Sequence, residues 1–553
     1  MRLKQNSTLQ KLRGAYYTPV QLADAMVSLF SDEPIHHVLE PSCGDGVFID
    51  SLSACGMLEQ IDSVTAVEIE PQEAAKVKRS YEDTNVDVIT EDFFKFYDRN
   101  RDAQQYDLIL GNPPYIRYQY LTEQQREILS QILTSHGMKA NKLINAWVCF
   151  LVASVQMLSE DGKLAFVVPA EILQVAYAED LRLFLSTQLS RITLITFEKL
   201  VFSEIEQEVL VFIGEKGGEE KGIRIIELDT LDGFKTLDLN QNGFRKMQHV
   251  KEKWTKYFTS ASEIELIQQL RSDTRFAPFR DYGVINVGIT TGNNDYFSIT
   301  QNTAEQYDLE PICLPLIGRS SHAHGIYFTE SDWQKNVKAG KKAMLISFPN
   351  TPVSKYSEPQ RDYITEGESS EQHKGYKCTI RDRWYIVPSV WVPDAFFLRR
   401  NNLYPKFVLN ECDAVSTDTM HRMKFNDNVD PLDVLLSYYN SISFAFTEIC
   451  GRSYGGGVLE ILPGEMGNIL LPKIDVIDTE LRANILQRVD SIVRANDDIE
   501  LALDIVDKEL LVDILGIDPE ICQQCRAIWK KLQRRRLGRG SITGGQDERQ
   551  KHP

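Results

Sequence analysis

The chain has 553 residues, a formal net charge of −18, and 42% hydrophobic against 25% charged residues; these are ordinary globular values that exclude a disordered or collagen-like chain, and the length calls for several domains. Its longest apolar stretch, Leu143 to Leu158, is broken by Asn145, Ser154 and Gln156 and falls short of the ~20 apolar residues a membrane span needs. The basic start MRLKQNSTLQKLRG leads into no apolar h-region and the nine cysteines are scattered, which suits reduced thiols and predicts a cytoplasmic protein.

Along the first 215 or so residues, β-rich runs alternate with helical ones. VTAVEIE (64–70), VDVIT (86–90), YDLIL (106–110), KLAFVVP (163–169), RITLITFE (191–198) and QEVLVFIGEK (207–216) are the predicted strands; Gln72–Tyr81, Thr122–His136 and Leu143–Leu158 are the predicted helices. Such alternation predicts a parallel, doubly wound α/β sheet with its ligand beyond the carboxyl ends of the strands. The last strand follows its predecessor with no helix between, which suits an antiparallel strand completing the sheet. After Gly217 the texture changes to short strand-like runs rich in Gly, Asn, Pro and aromatics, among them GITTGNNDYFSI (288–299), WYIVPSVWVP (384–393) and GRSYGGGVLEILPGE (451–465), predicting an α+β domain. From Thr479 to Gln533 apolar residues recur at helical spacing. The expected boundaries are 1–235, 236–475, 476–537 and a polar tail, 538–553.

The chemistry-bearing residues lie at strand ends. Glu40-Pro41-Ser42-Cys43-Gly44-Asp45-Gly46 follows an apolar strand and opens a helix, and its glycines let backbone approach a ligand closely. Glu68, 28 residues after Glu40, ends the next strand, where a carboxylate can accept from two ribose hydroxyls. The dinucleotide fingerprint asks for GxGxxG and a spacing of about 20, so a nicotinamide enzyme is disfavoured. Asp92 ends the third strand and can accept from an adenine amine while Phe93 packs on its ring; the plainer reading of these acids is as helix caps. Asn112-Pro113-Pro114-Tyr115 ends the fourth. Its two prolines stiffen the loop without donating backbone hydrogen bonds, leaving the Asn side-chain oxygen and a prolyl carbonyl to receive one external NH₂, with Tyr115 as a stacking face.

In this order YYTP (16–19), LEPSCGDGVF (39–48), VEIEP (67–71), EDFF (91–94) and GNPPY (111–115) resemble the gamma-class adenine-N6 DNA methyltransferases of restriction-modification systems. The resemblance covers the first 215 or so residues at motif level and continues more loosely through VGITTGNNDYF and RSYGGGVLEILPGE. NPPY also occurs in RNA and release-factor glutamine methyltransferases; the Tyr-Thr-Pro element and the large downstream region favour the DNA enzymes. The resemblance implies a doubly wound Rossmann-like class I methyltransferase domain with a mixed seven-stranded sheet, an α+β target-recognition domain and a helical C-terminal region. It implies S-adenosyl-L-methionine as cofactor, held by Tyr17, Thr18, Glu40, Pro41, Ser42, Cys43, Gly44, Gly46, Glu68, Ile69, Asp92 and Phe93, with Asn112 and Pro113 between cofactor and target base. Asn112, Pro113, Pro114 and Tyr115 would grip a flipped adenine of double-stranded DNA, backed by Phe202 in Val201-Phe202, with Phe197 as the alternative.

For DNA contact the candidates are Arg452, Ser453, Tyr454, Gly455 and Gly456, whose plainer reading is a tight turn. Although the chain is acidic, cationic clusters at Arg245–Lys256, Lys335–Lys342 and Lys530–Arg539 offer local faces for a polyanion. Cys522 and Cys525 form a lone CxxC without a second ligand pair, and neither His36-His37 nor His322-Ala323-His324 sits beside a nucleophile elbow. No metal site or fused nuclease is therefore expected, and a cognate restriction endonuclease would be a separate chain.

Overall fold

The computed structural model of the chain describes residues 17–140, 144–197, 208–218, 221–239, 243–247, 253–453, 457–474 and 477–538. It divides into two compact units, with the boundary between Phe258 and Thr259.

The first unit alternates helix and strand: α1 (Val20–Ser28), β1 (His37–Glu40), α2 (Val47–Ala54), β2 (Ser63–Glu68), α3 (Pro71–Ser80), β3 (Val86–Thr90), α4 (Phe93–Asn100), β4 (Tyr106–Gly111), α5 (Glu123–Ser135), α6 (Ala146–Gln156), β5 (Leu158–Pro169), α7 (Glu179–Gln188), β6 (Arg191–Phe197), β7 (Val209–Glu215) and β8 (Gly222–Leu228). Local chemistry starts the helices. Pro71 opens α3, the Asp92 side chain caps α4, and Thr122 and Gln125 form a reciprocal capping box on α5. The strands form one sheet in the order β3-β2-β1-β4-β5-β7-β6-β8, parallel from β3 to β5, with β7 antiparallel between β5 and β6. Helix α6 is buried along Ala146–Val155, so the apolar stretch seen in the sequence is a core helix. Among the described residues no helix is long and apolar enough to cross a membrane.

The sheet corrects the expected seven strands to eight. Strand β8 pairs parallel to β6 along its whole length, and Arg224 in it donates to the Thr193 hydroxyl at 2.9 Å. Its sequence, GIRIIEL, is interrupted by the buried Arg224 and the exposed Glu227, and so lacks the continuous apolar run that marks the central strands.

In the second unit, β9 (Gly283–Val287), β10 (Tyr327–Thr329), β11 (Ala395–Leu398), β12 (Phe407–Glu411) and β13 (Met420–Phe425) form a sheet in the order β9-β13-β11-β12-β10. Helices α8 (Ala261–Ser272), α9 (Pro431–Tyr438), α10 (Ser441–Cys450), α11 (Thr479–Ala495), α12 (Ile499–Val506) and α13 (Pro519–Gly538) surround a core that includes Phe279, Phe407, Tyr438, Phe444 and Trp529. The C-terminal helices thus belong to the same hydrophobic core as the sheet. Cys522 and Cys525 sit inside it as free thiols, and burial pushes the Cys522 thiol up to about 12.

Candidate active site

Parallel pairing brings the predicted acids to one edge of the sheet. Glu40 pairs with Ala66 and Glu68 with Thr90, while Leu39 pairs with Ile109, so the segments after β1, β2, β3 and β4 all leave the sheet at its carboxyl end. Between β1 and α2 the chain turns through Gly44 at φ +53° and Gly46 at φ +89°, a left-handed geometry that favours glycine. A Cβ on Gly46 would stand 3.1 Å from a Val77 methyl of α3, and one on Gly44 would stand 3.6 Å from the Tyr17 ring. The Tyr-Thr-Pro element therefore lies over the glycine turn. Tyr17 is 44% exposed and Thr18 is buried; Pro19 leads into α1.

Glu68 is clamped across this turn: its carboxylate accepts from the Gly44 and Glu70 amides, each at 2.8 Å. Burial raises its pKa, against the lowering effect of those amides. Glu40 is more extreme. It is 2% exposed, its Oε2 meets no hydrogen-bond donor among the described residues, and burial, then Asp45, Glu68 and Asp50, hold its carboxyl well above the usual range. A buried acceptor surrounded by acids is costly unless a cation reaches it. Cys43 is buried beside it, its amide donating to Val67 O at 3.0 Å.

The turn after β1 also touches the turn after β4. Pro41 lies 3.5 Å from where a Gly111 Cβ would stand, and the Ser42 hydroxyl donates to the Asn112 carbonyl at 3.5 Å, a long contact. Asn112 and Pro114 are half-buried and Pro113 is buried. Tyr115 is 9% exposed, and its hydroxyl donates to Val167 O of β5 at 3.2 Å, which fixes the ring against the sheet. At the β3 end, Asp92 is a helix cap whose second oxygen also has a partner within the fold. One oxygen accepts from the Phe94 amide at 2.8 Å as the cap of α4, and the other accepts from the Gln125 amide group at 2.9 Å. Phe93 is buried and stacks on Phe150 of α6 at 4.9 Å, whereas Ile69 is 52% exposed. Gln125, Phe150 and Phe166 are brought to this edge from outside every motif; only the tertiary pairing of α5, α6 and β5 with the sheet singles them out.

Not every predicted residue can be located. Phe202, Tyr454, Gly455 and Gly456 lie outside the described residues. Phe197 ends β6 buried against Phe234, with ring centroids 6.1 Å apart. Arg452 and Ser453 lie in the second unit and pair with Glu460 and Leu459 as the two arms of a hairpin, the Arg452 guanidinium bonding Glu465 at 2.7 Å. Much of the cationic run at the C-terminus is neutralised internally: Lys530 pairs with Glu500, Lys531 with Glu263 and Arg536 with Glu448. His36 and His37 bond Asp62 and Ser63, and His322 is buried, its pKa lowered to about 4 by burial. Among the described residues no three His, Cys, Asp or Glu side chains are grouped to hold a metal.

Chemically, this edge offers a cradle for a compact ligand. Glu40 can take a cation, Glu68 has lone pairs left for hydroxyl donors, Ile69 presents apolar surface, and Asn112 with Pro113 offers acceptors beside the turn.

Comparison with known proteins agrees with this layout. Residues 49–202 match the Eco57I restriction-modification methylase family, and residues 251–511 match the C-terminal domain of the Type II methyltransferase M.Eco57I. The Type II methyltransferase M.AccI of Acinetobacter calcoaceticus is 24% identical over 496 residues, spanning 85% of this chain and 87% of that protein. M.HindII of Haemophilus influenzae is 27% identical over 489 residues, 84% of this chain and 90% of that protein. Among solved structures, the Type IIL restriction-modification enzyme MmeI, determined in complex with DNA, superposes with a TM-score of 0.53 at 12% identity, over 94% of this chain and 72% of that one; this is a likeness of fold.

Proposed function

From the premise that this chain carries the paired domains of the Eco57I restriction-modification methylase family, we propose that it methylates the N6 amine of adenine at a specific site in duplex DNA, using S-adenosyl-L-methionine. The observation that carries the reading is the meeting of the two turns: the Glu40–Gly46 loop, clamped by Glu68, lies against Gly111 and Asn112. One edge can thus hold a cofactor and present a target amine to it.

The residues present fit that cofactor. The partnerless Oε2 of Glu40 suits its ammonium, the glycine cradle its methionine portion beneath Tyr17 and Thr18, Glu68 its ribose hydroxyls, and Ile69 with Asp92 and Phe93 its adenine. When bound, S-adenosyl-L-methionine supplies an electrophilic methyl on a sulfonium. Asn112 and the Pro113 carbonyl accept hydrogen bonds from the exocyclic amine, drawing its lone pair out of conjugation and fixing its direction, a contribution of positioning and electrostatics. Pro114 keeps the loop rigid. Flipping the base costs a few kcal/mol, which stacking on aromatic side chains offsets. Tyr115, set by Val167, is one such ring, and Phe202 is our candidate for the other. Site recognition falls to the second unit, in which Arg452 to Gly456 are candidate DNA contacts. The bounds 1–235, 236–475 and 476–537 serve as working limits for catalytic, recognition and buttressing regions, and a cognate endonuclease would act as a separate chain.

The test is to incubate the protein with methyl-labelled cofactor and duplex DNA, RNA or protein in parallel, then digest the products and identify the labelled species. Label in N6-methyladenine of duplex DNA is expected. Label in RNA or in glutamine overturns the substrate, and no label at all favours an idle DNA-binding module. Asn112→Ala should lower transfer by ~10²-fold or more with duplex binding retained; unchanged turnover removes its role.

A further inference from the structure

The second unit carries a surface that none of the motifs singled out. Among its exposed large hydrophobic side chains, Tyr376 is 73% and Ile380 is 61% exposed. Tyr376 opens the short helix Tyr376–Thr379 and Ile380 follows it, within a run, Lys374 to Arg383, that holds four cations against one acid, Asp382, in a chain whose acids outnumber its bases 79 to 61. Lys374 is paired with Glu371. Among the described residues Lys377, Arg381 and Arg383 pair with no carboxylate: Lys377 lies 5.8 Å from the Tyr376 ring centre, Arg381 bonds only the carbonyls of Thr290, Thr291 and Trp384, and Arg383 bonds the Asn350 amide oxygen. Of the neighbouring acids, Glu366 is engaged by Tyr307 and Glu368 by Trp384, while Asp382, between Arg381 and Arg383, forms no ion pair among the described residues.

The run is also held rigidly. Cys378 is fully buried in a core shared with Phe297 and Tyr385. Gly292 turns at φ +84°, so close to the helix that a Cβ there would stand 2.8 Å from that of Lys377. Asn293 donates to Gln372 at 2.6 Å, and Arg381 reaches back to Thr291 at 2.8 Å. Two large apolar side chains stand out into water side by side with Lys377 and Arg383, which pair with no carboxylate among the described residues, a grouping that a protein meeting only solvent has no need of. The same arrangement matches duplex DNA, where an apolar side chain enters a groove or wedges a base step while flanking Lys and Arg neutralise phosphates. Two side chains are too little for a second copy of the chain, since a stable protein interface needs upwards of about 1,000 Å².

We propose that the braced segment Gln372–Arg383 is a DNA-contacting element of the second unit, with Tyr376 and Ile380 entering a groove and Lys377 and Arg383 seated on the backbone. This rests on the DNA reading above and adds to it a contact surface distinct from Arg452–Gly456.

The test measures the affinity of the full-length protein for a methylatable duplex over a range of salt. Lys377→Ala with Arg383→Ala should lower the slope of log affinity against log salt by about two. Tyr376→Ala with Ile380→Ser should weaken binding tenfold or more at an unchanged slope. Both variants should bind S-adenosylhomocysteine and melt as the wild type does. If the second double variant melts lower, Lys377→Ala alone, an exposed truncation, should still lower the slope by about one. Wild-type affinity and slope in all variants would overturn the element while leaving the methyltransferase reading intact. A wild-type protein that binds no duplex would overturn both. A loss of self-association on Tyr376→Ala with DNA binding unchanged would assign the patch to a second copy and also overturn the element.

Discussion

At the residue scale, Glu40 and Asp92 show how a site and a scaffold compete for one side chain. Glu40 is buried with an unmet oxygen and acids around it, so its folded form keeps a proton where the unfolded chain has released it. Its contribution to stability is therefore fully present below the ordinary carboxylate pKa and is lost as pH rises through the elevated folded value. Glu40→Gln keeps the shape without the charge. It should melt higher than the wild type at about pH 8, by an amount equivalent to ~1–3 kcal/mol, with the gap closing at about pH 5, and it should bind S-adenosylhomocysteine more weakly. Scanning calorimetry at the two pH values checks the first part, and a gap that widens on acidification would refute it. Asp92 caps α4, and Asn caps nearly as well as Asp. Asp92→Asn should therefore keep the melting temperature, whereas Asp92→Ala should cost about 1 kcal/mol. Weaker cofactor binding in both would separate the ligand role from the cap, and normal binding in the Asn variant would argue that a cap is all it is.

At the scale of elements, the strand ends were legible because parallel strands buried on both faces leave continuous apolar runs, and the polar residue that ends each run falls at the carboxyl edge. That argument located Glu40, Glu68 and Asn112 from the sequence; Asp92 lies just past β3, an edge strand, and its signal was the acidic residue opening the next helix. It missed β8, whose Arg224 and Glu227 interrupt the run as an edge position allows. The cationic C-terminal run misleads in the opposite direction. Arg536, 1% exposed on its side chain, bonds Glu448 at 2.7 Å as well as the carbonyls of Asn402 and Gly457, so it fastens α13 to α10 and is not a surface for phosphate. Removing one partner leaves a buried charge unmatched, and Glu448→Ala should cost about 3–5 kcal/mol, read as a lower urea midpoint; a loss under about 1 kcal/mol would mean that water reaches Arg536.

For the molecule as a whole, the proposed cofactor contacts all lie before Phe258, in the first of the two units. A ligand that binds one folded unit stabilises that unit by mass action, about 2.7 kcal/mol at a hundredfold excess over its dissociation constant. Calorimetry with S-adenosylhomocysteine should therefore raise the transition of the first unit, and a shift confined to the second would contradict the assignment of the site. Hydrophobic periodicity and motif order were enough to specify an alternating α/β first half and the sheet edge at which Glu40, Glu68, Asp92 and Asn112 gather, because those properties depend on short-range spacing. That Gln125 meets Asp92, that Tyr115 leans on Val167, that Arg536 is buried and that Tyr376 and Ile380 stand exposed on a braced loop depends on contacts between residues tens to more than a hundred positions apart, or on which face of a segment the rest of the chain covers. Local pattern carries no record of such pairings; the packing of the completed core selects them.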